Sequence, residues 1–301
     1  MRLHPAYTCL MGASLALAPA MAAADVSFPN DVAAADGAIR LEPVSPWNID
    51  FGANRCRLTR VFGTEEDRHL LMLEQAAPNS EFGLTLAGSG ISRFRTAATV
   101  DLGLERDEPM VSLDQFGKGE IADLGPALIF STISIDPKAM ADALRPVGVN
   151  LDEAAKVDRV VLRRGKAVLS FETGNMKDAI AALNNCTVDL LTQWGLDPEA
   201  HKNHVPPMWA NAAAVTRRIV AVYPSSALRA GEQAIFRMRV TVETDGSVSD
   251  CLIEESTIAK KLESPACKEM RNAKFAPARD GQGQPMRSFY ATTIRYVIGN
   301  R

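Results

Sequence analysis

Apolar and polar positions change their period several times along this chain, and each change marks an element. Arg55 to Phe62, Leu70 to Glu74, Phe82 to Ala87 and Arg159 to Glu172 alternate or run apolar between Gly-rich and Pro-Asn-Ser stretches, which predicts strands. Pro137 to Leu144 is expected to be a short helix. Met176 to Trp194 shifts to the helical period, with Ile180, Leu183, Val188, Leu191 and Trp194 as its apolar stripe and Cys186 within it. Asn175 followed by Asp178 supplies the start signal. Nearer the C-terminus, Ala234 to Thr244 and Val248 to Glu255 form two strand patterns around Thr244-Asp245-Gly246-Ser247, where Asp-Gly predicts a tight I′-type hairpin turn. Lys260 to Asn272 returns to the helical period through Leu262, Ala266, Met270 and Ala273. Phe275 and Pro277 close that helix, and Met286 to Ile298 is the last predicted strand.

A chain of 301 residues is long enough for two cores. Charge divides the same way. From Pro206 onward there are 14 Lys+Arg against 9 Asp+Glu, while Ala23 to Val205 carries 18 against 27, so the halves hold about +5 and −9. That asymmetry favours docking of the halves or a basic face turned toward an acidic partner, against two solvated surfaces of different composition. Without a basic, aromatic-interleaved stripe, nucleic acid is not an expected partner.

The first residues read as an export signal. Arg2 opens a modest n-region, Tyr7 to Ala18 is apolar or small, and Ala20-Met21-Ala22 offers a cleavage site before Asp25. An uncleaved anchor is the competing reading, because no charge occurs between Pro5 and Ala24. After cleavage four cysteines remain, an even number in an exported chain. Of the three pairings, the division into two domains selects Cys56 with Cys186 and Cys251 with Cys267.

Candidate chemistry is sparse. His201-x-x-His204 has no nearby third ligand and is expected to be solvated connecting chain. His69 follows Glu65-Glu66-Asp67-Arg68, an expected exposed turn. Gly88-Ser89-Gly90 lacks the spacing of a nucleophile elbow. Asp101, Glu105, Asp107 and Glu108 are expected to form a solvated acidic face. No catalytic residue, metal ligand or cofactor site is singled out, although an active site assembled from distant residues would leave no motif.

The order of the last elements, from Tyr223-Pro224 through the Asp-Gly hairpin, the short helix, Phe275-Ala276-Pro277-Ala278 and the final strand, resembles the C-terminal domain of TonB-type energy transducers. The expected fold is therefore α+β. An N-terminal mixed β/α domain (25–200) follows the signal peptide (1–24), and a linker (201–218) leads to a small TonB-like α-β-β-α-β domain (219–301) with a three-stranded antiparallel sheet. The resemblance implies a periplasmic, non-enzymatic protein that acts through contacts with envelope proteins, including TonB-dependent outer-membrane receptors, by β-strand addition. The segment it implicates is the last strand, with Phe289, Tyr290, Thr293, Arg295, Tyr296 and Val297. The chain departs from the transducer pattern by placing a globular domain where a proline-rich spacer would stand. A stand-alone envelope binding or scaffold module is thus the alternative.

Overall fold

The computed structural model describes residues 38–104, 109–136, 148–221, 225–231, 234–255 and 264–296. The export signal, the helix expected at Pro137–Leu144, Glu105, Asp107, Glu108, Leu262 and Val297 lie outside the described residues. From Asp31 to Arg301 the chain is one compact unit, built around two main apolar cores.

The first core is shared by two sheets. A six-stranded antiparallel sheet runs in the order Asn48–Phe51, Cys56–Gly63, Arg68–Gln75, Glu81–Ala87, Gly125–Ser134 and Gly117–Ile121. A five-stranded sheet runs in the order Ala38–Leu41, Ala167–Phe171, Val160–Arg164, Val100–Gly103 and Val111–Leu113, with its first pair parallel. Leu58, Phe62, Leu71 and Leu84 from one sheet and Leu162, Leu169 and Phe171 from the other are buried together. The rings of Phe62 and Phe171 meet edge to face at 5.3 Å.

The long helix Lys177–Gln193 packs on this core through Ile180, Leu183, Cys186 and Leu190. Asn175 Oδ1 accepts the Lys177 N–H at 2.9 Å, which satisfies one of the donors left open at a helix start. A disulfide joins Cys186 to Cys56, with Cα atoms 6.0 Å apart, and fastens the helix across the strand Cys56–Gly63.

In the second core, a three-stranded antiparallel sheet has Ala234–Val242 at its centre, flanked by Val248–Glu255 and the last strand, Ser288–Tyr296. Strand alternation divides the central strand cleanly. Phe236, Met238, Val240 and Val242 are buried with Val215 and Ile219 of the helix Ala212–Ala221 and with Ala266 and Met270 of the helix Ala266–Met270. Arg237, Arg239 and Thr241 lie on the other face. The disulfide Cys251–Cys267 joins the helix to the sheet. Residues 201–218 are bonded into this body: Val205 exchanges backbone hydrogen bonds with Arg279 at 2.7 and 2.9 Å, and Met208–Trp209 pairs with Phe275–Ala276.

The hairpin turn differs from the expected I′ geometry. Asp245 keeps a negative φ and Gly246 alone is positive, at 81°. Gly246 N–H bonds Glu243 O at 2.9 Å, and Glu243 N–H bonds Ser247 O at 2.9 Å. This is the three-residue arrangement in which a right-handed turn is followed by one left-handed glycine. The Asp245 carboxylate stabilises it by accepting the Ser247 N–H at 2.9 Å. Only glycine fits at 246 for a second reason, since a Cβ there would lie 1.9 Å from the Phe275 carbonyl oxygen.

Candidate functional site

The last strand lies at one end of the three-stranded sheet, and among the described residues no further strand pairs with it. Its two faces have different surroundings. Tyr290, Thr292, Ile294 and Tyr296 face the helices. Tyr290 packs against Trp209 at 5.6 Å and Phe275 at 5.3 Å, and burial pushes its phenol pKa up. Tyr296 meets Phe236 edge to face at 5.5 Å and shares a 3.0 Å hydrogen bond with Ser264 Oγ. Phe289, Ala291 and Thr293 share the opposite face, which is turned toward the first core. Arg295 pairs through its backbone with Ile235.

That second face is held by a joint with polar and apolar parts. Arg237 Nη1 lies 2.8 Å from Glu74 Oε1, while Arg57 Nε and Arg55 Nη1 reach Glu74 Oε2 at 2.9 and 3.3 Å. Burial alone would raise the Glu74 carboxyl pKa, but the three guanidinium groups outweigh it and hold the group below its ordinary value. Beside this cluster, Phe289, Ala77, Leu191 and Leu196 form a small separate core. Trp194 stands 5.5 Å from the Phe289 ring, with the Arg239 guanidinium 4.0 Å above the Trp194 ring. Phe289 is committed to this joint by its side chain and can contribute only backbone to an added strand.

The joint also contains His201 and His204, which the sequence suggested would be solvated. They are 5 % and 4 % exposed. His201 Nδ1–H donates to Asp197 O at 2.6 Å, its Nε2 accepts from Ser288 Oγ at 3.0 Å, and its ring stacks on Phe289 at 6.0 Å. His204 Nδ1–H donates to His201 O at 2.7 Å, which leaves its buried Nε2 unprotonated and without a hydrogen-bond partner. The expectation failed because a short helix, Pro198–His201, capped by Asp197, turns both rings inward beneath the last strand.

Desolvation by burial lowers both imidazole pKa values below 6.5: for His201 it outweighs the backbone hydrogen bond to Asp197 and the Asp197 carboxylate, and for His204 it outweighs the backbone hydrogen bond to His201, with the His201 ring adding to the depression. A base with a depressed folded-state pKa stabilises the fold above its ordinary pKa and loses that contribution as pH falls below it. Urea midpoints should therefore fall from pH 7 toward pH 5, and His204→Gln should flatten the slope. An unchanged slope in that variant would show that His204 is not one of the titrating groups.

His69 is also corrected. It is 1 % exposed and occupies an inward position in step with Leu71 and Leu73, not an exposed turn. Its Nε2 accepts the Gly90 N–H at 3.0 Å, while Ser89 Oγ donates to Asp67 Oδ1 at 2.7 Å. A Cβ at Gly88 would lie 2.3 Å from the imidazole. Serine and imidazole are each bonded elsewhere, so this arrangement locks a loop onto the sheet. Asp101 pairs with Arg163 at 3.3 Å across adjacent strands.

Between the end of the six-stranded sheet and the last strand there is a polar cleft of about 440 Å³. Gln75, Asn79, Glu81, Ser131 and Thr132 line one side, and Arg237, Ala291 and Thr293 line the other. Sequence reasoning named Thr293 but missed Glu74, Arg237 and the N-terminal side of the cleft. Among the described residues no helix is long and apolar enough to cross a membrane. No curated protein matches the chain. Residues 220–298, which include this sheet and its edge, match the family model for the Gram-negative bacterial TonB protein C-terminal, so the C-terminal region of the chain is similar to that domain.

Proposed function

We propose that this is an exported periplasmic protein whose TonB-like domain takes part in envelope transport by binding other envelope proteins, TonB-dependent outer-membrane receptors among them, without catalysing a reaction or using a cofactor. The observation that carries the reading is the edge of Ser288–Tyr296, which no further strand pairs among the described residues, within the family-matched domain. An extended partner segment adds to that edge as a fourth strand, and backbone hydrogen bonds supply much of the affinity. Contacts between the N-terminal domain and the neighbouring sheet face favour a second reading, a stand-alone binding module with no part in energy transduction. A docked globular domain supplies none of the reach of an extended proline-rich spacer. Fractionation separates the two, because a transducer remains with the inner membrane.

Consecutive N–H groups of an edge strand alternate between the neighbouring strand and the open side. Of Thr292→Pro and Thr293→Pro, one therefore removes an open-edge donor and the other a sheet hydrogen bond. The open-edge variant should keep its near-UV circular dichroism and lose at least about tenfold in capture of solubilised outer-membrane proteins by the full mature chain, a loss of roughly 1.4 kcal/mol or more. If the variant that stays folded captures the same proteins as wild type, the edge is not the binding element.

A further inference from the structure

The polar cleft beside the last strand gives the proposed binding edge a second wall, contributed by the N-terminal domain. Its chemistry is specific. Gln75 is 3 % exposed and donates both amide hydrogens to backbone carbonyls, at 2.7 Å to Asn79 O and 2.8 Å to Glu81 O. These bonds hold the loop from 76 to 81 in place as a preformed wall. Gln75 Oε1 is itself buried and has no hydrogen-bond partner, so the amide serves to fix the wall.

Opposite Gly83 the strand Gly125–Ser134 carries two residues, Ser131 and Thr132, because pairing jumps from Phe82↔Ile133 to Leu84↔Phe130. Such a bulge re-aims side chains, and both hydroxyl residues line the cleft. The Glu74 carboxylate on the inner wall is already held by arginines. Glu81 remains as an acidic group on the outer side. The lining therefore combines the hydroxyl and amide groups of Ser131, Thr132, Gln75 and Asn79 with the apolar Ala76, Ala77, Phe82 and Met238; burying a large apolar side chain against its polar groups is disfavoured, and the Glu81 carboxylate disfavours an acidic one.

Resting on the reading that a strand adds beside Ala291–Thr293, we propose that alternate side chains of the incoming partner segment enter this cleft, and that the N-terminal domain thereby selects envelope polypeptides with Ser, Thr, Asn or Gln at those positions. The partner is an extended protein segment. Backbone pairing on the edge supplies affinity common to all such segments, and the cleft supplies discrimination.

The test uses the full mature chain and fluorescein-labelled synthetic strands of one β-forming sequence, with alternate positions set to Asn/Thr, Ala, Leu or Asp and binding read by anisotropy. Wild type should bind the Asn/Thr strand at least tenfold more tightly than the Leu and Asp strands. Thr132→Trp, which fills the cleft from an exposed position, should bring the Asn/Thr strand down to the level of the Ala strand while leaving the Ala strand within about threefold of wild type. Equal binding of all four strands by wild type, or an unchanged preference in Thr132→Trp, overturns the selection by the N-terminal wall and leaves strand addition standing. Failure of wild type to bind any strand overturns both.

Discussion

Replacing Cys56 and Cys186 together by alanine should lower the stability of the oxidised protein by about 5 kcal/mol. The bridge spans a sequence separation of 130, against 16 for Cys251–Cys267. In the chain-entropy picture the cost of freeing an unfolded chain rises with the logarithm of the loop it had closed, which gives about 5 kcal/mol for the long loop and about 3 for the short one. Both half-cystines are fully buried between the long helix and the sheet, and alanine avoids placing a hydroxyl there. Urea denaturation of the two alanine pairs beside wild type checks the ranking, and reduction of wild type should approach the sum of the two losses. A smaller loss for Cys56→Ala/Cys186→Ala than for Cys251→Ala/Cys267→Ala would mean that the reduced unfolded chain is already constrained around the first core.

Much of the structure around the second core was legible because its signals are local. Gly246 between two alternating runs marks the hairpin, and the helical spacing of Ala266, Met270 and Ala273 marks a buried face. Within the hairpin, however, Asp-Gly fits two turns of different hand. The sequence alone does not reveal that Asp245 stays right-handed and that Phe275 closes over Gly246. The long helix was placed almost to its ends, but its stripe was misphased at one residue. Seven steps from Ile180 come back to the same side at about 100° each, so Thr187 is buried and Val188 is 41 % exposed. His69 could have been placed correctly, since it alternates with Leu71 and Leu73; the charged residues before it concealed the pattern.

The joint was not legible. Glu74 stands at the end of one strand and Arg237 in the middle of another, in different cores, and neither has a local pattern that distinguishes it from a solvated charge. Only the register of two separate sheets brings them to 2.8 Å. The same holds for His201, whose partner Ser288 lies on the last strand. Charge asymmetry between the halves pointed to docking as one of three outcomes, and Arg237 on Glu74 is a specific instance of it.

Glu74→Ala should cost about 3–5 kcal/mol, the range for removing one partner from a buried ion pair and leaving the opposite charge uncompensated. The Glu74 side chain is 8 % exposed and that of Arg237 11 %, so water does little to rescue the guanidinium. Arg237→Met should cost less, because Glu74 keeps Arg55 and Arg57. Adding Arg237→Met to Glu74→Ala should recover part of the loss, because the double variant no longer buries that cation beside the position Glu74 has vacated. The pH dependence has a definite sign. A carboxyl held below its ordinary pKa of 4.5 stabilises the fold above that value and loses the contribution as pH falls through the lowered one. Wild type should therefore lose urea stability below about pH 5 more steeply than Glu74→Gln. Because Arg237 is on the sheet face beside the last strand, the same substitution should loosen the cleft wall and weaken strand capture without touching the open edge. A cost for Glu74→Ala of about 0.5 kcal/mol or less, the size of an exposed pair, or strict additivity with Arg237→Met, would show that the Glu74–Arg237 pair does not help to hold the two cores together.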